Sequence, residues 1–124
     1  SDIIFLRGAE ENYFNHLKSR IDIYSNEMLL VDSINVKYHK KENWIPIIIT
    51  DNHNNKAYAL FTTGAMYSLT EINLRDGMVK EVTKIKKIFP QKIKVNNGQL
   101  YFLYKDLNNI WDKSKLYQGE LPNL

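Results

Sequence analysis

The sequence predicts a mainly β domain of antiparallel hairpins with one helix near its N-terminus. Three observations carry this expectation. Lys56-Ala57-Tyr58-Ala59-Leu60-Phe61 lines up with Gln99-Leu100-Tyr101-Phe102-Leu103-Tyr104, a separation of 43 residues, and each copy follows an extended apolar stretch and an Asn-containing turn. Asn97-Gly98 and Asp76-Gly77 are dipeptides that readily take the positive φ angles of tight hairpin turns. The apolar runs are short and bounded by turn residues, as strands are.

In chain order, Ile3, Ile4, Phe5 and Leu6 make a short apolar strand that ends at Gly8. Ala9 to Arg20 reads as the helix. Glu10 and Glu11 suit its first turn and Lys18 and Arg20 its last, and Tyr13, Phe14, Leu17 and Ile21 form one apolar stripe. Strands follow at 21–24, 27–33 and 34–38, the last alternating apolar and polar residues. A charged loop covers 39–43.

Residues 45–50 and 57–61 are apolar at successive positions, which predicts strands buried on both faces. Asp51 to Asn55 is the polar turn between them. A strand at 68–74, the Asp76-Gly77 turn and a strand region at 78–88 ending before Pro90 come next. The second copy begins at Lys92, reverses at Asn97-Gly98, and returns through 100–104. A polar loop holding Trp111 leads to a last strand starting at Leu116-Tyr117 and closed by Pro122.

At 124 residues the chain is expected to be a single domain, 1–124, with a helix-containing part over 1–43 and β repeats over 44–122. It is long enough to bury roughly two thirds of the surface its unfolded form exposes. The longest apolar run, Ile45 to Ile49, has five residues including Pro46, so no membrane span is expected. The sequence starts at Ser1-Asp2 rather than Met, which is compatible with a removed upstream segment. There is no cysteine, which excludes disulfides and thiolate chemistry. The net charge of +3 points weakly to an anionic partner. Lys, Asn and Ile are equally abundant at 14 each, a bias that an AT-rich coding sequence also produces, so the basicity carries little weight.

The segment Phe89 to Tyr104, followed by Lys115-Leu116-Tyr117-Gln118-Gly119-Glu120-Leu121-Pro122, resembles blades of bacterial envelope-associated six-bladed β-propellers. There a strand leads into an Asn-Gly turn, an aromatic-rich strand returns, and a Lys-Leu-Tyr strand comes next. Asn73 to Val79 resembles the turn between the third and fourth strands of such blades. The resemblance covers about residues 44–122, without a Trp-Asp signature or a double glycine. It implies propeller-blade-like hairpins and, if it holds, an envelope or secreted location, with the cytoplasm as the other possibility. Closed propellers have 4–8 blades of about 40–45 residues, more than this length supplies. The expectation therefore divides between a piece of a larger propeller, several chains completing a ring, and an α+β open sheet packed on the N-terminal helix.

No constellation of catalytic residues stands out. His16, His39 and His53 lack metal-ligand spacing and are expected to be exposed or locally bonded. Asp51-x-His53-x-Asn55 lacks the glycine and distal Glu of a calcium loop, and Asx-turn chemistry accounts for it. No serine sits in a glycine-flanked elbow. Lys80, Lys84, Lys86, Lys87, Lys92 and Lys94 read as a solvated strand edge rather than a nucleic-acid groove, which disfavours nucleic acid as a partner. The expected role is a non-catalytic binding or protein-interaction module. The alternatives are part of a hydrolase or lyase propeller and a small toxin-neutralising or nucleic-acid-binding protein. No catalytic residue, metal site or cofactor is assigned. The binding candidates are Trp44 and Trp111 at loop–strand borders, and Tyr101 and Tyr104. The expected partner is another protein chain or a second copy, because two-sided strands need cover on both faces.

Overall fold

The computed structural model describes residues 4–7, 10–106, 108 and 113–122. Among them the chain builds three antiparallel sheets, each a meander of sequence neighbours. Sheet 1 contains β1 (Ile4–Arg7), β2 (Glu10–Asn15), β3 (Arg20–Ser25) and β4 (Leu30–Asn35). Sheet 2 contains β5 (Trp44–Asp51), β6 (Lys56–Thr63), β7 (Met66–Ile72) and β8 (Val79–Ile85). Sheet 3 contains β9 (Ile88–Asn96), β10 (Gln99–Lys105) and β11 (Lys115–Glu120).

Sheet 2 is the middle layer. Ala57, Ala59, Phe61 and Ile72 on one of its faces pack with Phe14, Ile21 and Ile34 of sheet 1. Tyr58, Leu60 and Leu69 on the other pack with Val95, Leu100 and Phe102 of sheet 3. Adjacent residues of β6 thus enter two different cores, which explains why this strand has no polar alternation. Leu60 and Leu69 are essentially solvent-free, and each such side chain contributes roughly 2 kcal/mol relative to exposure. The first strands of sheets 2 and 3, β5 and β9, lie against each other.

The expected helix over 9–20 is corrected, and with it the α+β alternative. Residues 10–15 are β2, His16–Lys18 is a single 3-10 turn, and Arg20 begins β3. Phe14 and Ile21 do share a side, but as cross-strand partners in a hairpin. Leu17, expected in the apolar stripe, is 95% exposed on the turn. Burial of alternate aromatic and β-branched side chains outweighs the charge pattern, which is worth only tenths of a kcal/mol per residue. Cover for sheet 2 therefore comes from two further sheets of the same chain.

Two smaller expectations also shift. The strands at 27–33 and 34–38 are one strand, β4, flanked by a turn at Ser25–Leu29 and a 3-10 turn at Tyr38–Lys40. Pro90 does not stop a strand but sits inside β9. It occupies a break in the β9–β10 register between the Gln91 and Ile88 pairs, where the missing N–H is tolerated. Pro46 does the same in β5, between the Ile45 and Ile48 pairs. Each proline is the third residue of the first strand in its sheet.

Candidate interaction surface

The hairpin-closing pairs Asp51↔Lys56 and Asn96↔Gln99 fix the correspondence between sheets 2 and 3. Ala57, Ala59 and Phe61 of β6 correspond to Leu100, Phe102 and Tyr104 of β10. Tyr58 and Leu60 correspond to Tyr101 and Leu103. The first set faces the preceding sheet in both cases. Tyr58 and Leu60, at 2% and 1% exposure, are buried beneath sheet 3. Tyr101 and Leu103 carry the same residue types at the same positions, yet they lie on the face of sheet 3 opposite its core. Both are half-buried. Leu116, paired with Leu103 and 64% exposed, continues this face. Lys94 and Gln118 flank Tyr101 on either side, and the Gln118 amide donates to Gln99 Oε1 at 2.8 Å.

The corresponding outer face of sheet 1 includes charged residues. With Arg7↔Glu10 as the closing pair, Glu11 and Tyr13 of β2 take the places of Ala57 and Ala59. Beside them Asp22 is buried and held by Arg20 Nε at 2.6 Å. The outer faces of the three-sheet stack therefore differ in detail: that of sheet 3 carries Tyr101, Leu103 and Leu116 among Lys94, Gln99 and Gln118, and that of sheet 1 carries Glu11 and the Asp22–Arg20 pair.

Of the four binding candidates, Tyr101 lies on the open face of sheet 3. Tyr104 faces the other way, toward sheet 2, with the Lys87 ammonium 5.1 Å above its ring. Trp44 begins β5 at the junction of sheets 1 and 2, where its ring meets His16 at 4.9 Å and Tyr38 and His39 at 6.1 Å. Trp111 lies outside the described residues.

Two groupings escape sequence reasoning. The first is the Trp44 junction. His16 and His39, 23 positions apart, come within 5.3 Å of each other. His16 Nε2 shares a 2.5 Å hydrogen bond with the Tyr38 hydroxyl, and His39 Nε2 shares one of 3.2 Å with Ser19 Oγ. Burial pushes Tyr38 well above the ordinary phenol range. Burial, followed by the Lys40 charge, holds His39 below the usual imidazole range, against an opposing contribution from the His16 backbone. Both contacts are local bonds between side chains, and among the described residues no group of three His, Asp or Glu is placed to hold a metal ion.

The second is Asp51. The Asx-turn reading explains part of it, since its carboxylate accepts from the N–H groups of His53 and Asn54 at 3.1 and 3.2 Å. The same carboxylate also accepts from Asn97 N at 2.9 Å and Gly98 N at 2.7 Å, in the hairpin turn of the next sheet. The side chain is fully buried. Burial alone would raise its pKa, but the converging donors from Gly98, Asn97, Asn54 and His53 hold it below the ordinary value.

The exposed lysines of the 80–94 stretch lie along β8, β9 and the link between them. No helix among the described residues is long and apolar enough to cross a membrane. No known protein family, curated protein or solved structure matches this chain.

Proposed function

We propose that the chain is a run of propeller blades serving as a non-catalytic interaction module, and that the outer face of sheet 3 is its contact surface. The observation that carries this reading is the repetition of Tyr58 and Leu60 as Tyr101 and Leu103. In sheet 2 these positions lie beneath another sheet, and in sheet 3 the same side chains are presented outward. Meander sheets stacked face to face, with β5 and β9 side by side and a proline at the third position of each, support the blade comparison.

The test is light scattering on the chain at micromolar concentration, combined with binding of a hydrophobic dye. A monomer that binds dye, or an assembly that does not until Leu103→Glu dissociates it, supports the reading. A 14.6 kDa monomer that binds no dye overturns it, because the face would then present no usable apolar area.

A further inference from the structure

We propose that Asn97 is a site of spontaneous deamidation that Asp51 holds shut in the folded chain, and that its conversion releases sheet 3 from sheet 2. Among the asparagines of the sequence, Asn97 is the one followed by glycine. The residue after it therefore has no side chain to hinder attack of its backbone nitrogen on the asparagine. In that reaction Gly98 N loses its proton and bonds to the Asn97 side-chain carbonyl carbon, and the side-chain nitrogen leaves as ammonia. Water then opens the cyclic imide to aspartate or isoaspartate. Asn97 is exposed at the turn between β9 and β10, so water reaches it and ammonia escapes.

The nucleophile of this step is the atom that the fold ties down. Gly98 N donates to Asp51 Oδ2 at 2.7 Å, and the Gly98 carbonyl oxygen accepts from Leu121 N at 2.9 Å. Asn97 N donates to Asp51 Oδ1 at 2.9 Å. Attack requires Gly98 N to leave Asp51 and turn toward the Asn97 side chain, so this latch between the sheets must open first. The backbone donors that hold the Asp51 carboxylate below its ordinary pKa also make it a poor base. It therefore keeps the Gly98 proton on nitrogen rather than removing it.

The product does not rebuild the latch. A carboxylate at position 97 adds a negative charge next to the buried Asp51, whose Oδ1 already lies 2.9 Å from the backbone nitrogen of that residue. Isoaspartate also adds a methylene to the main chain between the nitrogens of residues 97 and 98. These are the two donors whose spacing matches the two oxygens of Asp51. Hydrolysis is irreversible, so each converted chain records an opening of the joint.

Mass spectrometry of the tryptic peptide 95–105 during incubation of the intact chain at mildly alkaline pH tests this. The folded chain should convert Asn97 at least about tenfold more slowly than the chain in urea, because only the opened latch reacts. Asp51→Ala should lose most of that protection while its sheet 1 amides stay protected from exchange. Asn97→Asp, the product, should exchange faster throughout sheet 3 with sheet 1 unchanged. Equal conversion of folded and unfolded wild type overturns the guarding role. So does a folded Asp51→Ala chain that converts no faster than wild type, since Asp51 would then be idle or acting as the base. If Asp51→Ala does not fold, wild type in urea below its unfolding transition decides the same point. Asn97 conversion and exchange of the Gly98 amide should rise together there, and separate responses overturn the proposal. An Asn97→Asp chain with sheet 3 fully protected overturns the release of sheet 3.

Discussion

Asp51 gathers four backbone donors, two from its own turn and two from the next sheet, on one buried carboxylate. Removing it leaves these donors without their acceptor, so Asp51→Ala is expected to cost about 3 kcal/mol in urea unfolding. Because its folded pKa is depressed, its stabilisation is fully present above the ordinary carboxylate pKa. It is lost as pH falls through the lower folded value, and the variant's stability profile should be flatter than wild type in that acidic range. His39 acts in a different window. Its depressed pKa favours the neutral ring, so its contribution is complete above about pH 6.5 and declines as pH falls through the folded value. A His39→Gln variant should therefore lose part of the pH dependence of melting below about pH 6.5. The Asx turn was legible at Asp51 from its polar neighbours. Its second role was not, because Asn97 and Gly98 are brought to it only by the stacking of two sheets, and no local pattern encodes that approach.

At the level of elements, turns were the most readable feature. Asn97 and Gly98 have φ of 52° and 73°, and Gly77 has 76°, as Asn-Gly and Asp-Gly lead one to expect. Gly98→Val should destabilise by about 1–3 kcal/mol, because a β-branched residue is strained there. An unchanged urea midpoint would remove the positive-φ requirement from this account. Gly77 has a further reason to be glycine, since a Cβ there would run into the Asn35 carbonyl oxygen at the end of β4. Gly77→Ala should thus loosen the junction of sheets 1 and 2 and lower the melting temperature. The N-terminal hairpin was misread because acidic residues first and basic residues last also fit two strands joined by a turn. Phe14 and Ile21, seven apart, fit a helix face and a cross-strand pair equally well. Only the other strands of the sheet distinguish the two, and they lie elsewhere in the sequence.

For the whole molecule, two-sided burial of β6 was legible because its apolar run is unbroken. The source of its cover was not, since residues 10–15, which form β2 of the first sheet, read as part of a helix. The open face of sheet 3 was visible only in fragments, as Tyr101 among other aromatics, because its meaning depends on the registered comparison with Tyr58. Neither cysteine nor a metal-holding group of side chains is found among the described residues. Treatment with EDTA is expected to leave the melting temperature where it was, and a drop of several degrees reversed by calcium or zinc would contradict that.

Among the described residues, every hydrogen-bonded strand pair joins sequence neighbours. Long-range order therefore enters only where one sheet rests on another. A molecule wired in this way is close to a linear array of cooperative units coupled to their nearest neighbours. Its middle unit has two such couplings and its outer units one each. In the unassociated chain, amide exchange should accordingly be slowest in β6 and β7, with sheet 1 and sheet 3 opening at lower free energy and independently of each other. Severing the Asp51 coupling should release sheet 3 while the protection of sheet 1 stays as it was. A chain that instead lost protection everywhere at once would be one indivisible folding unit, however modular its sheets look.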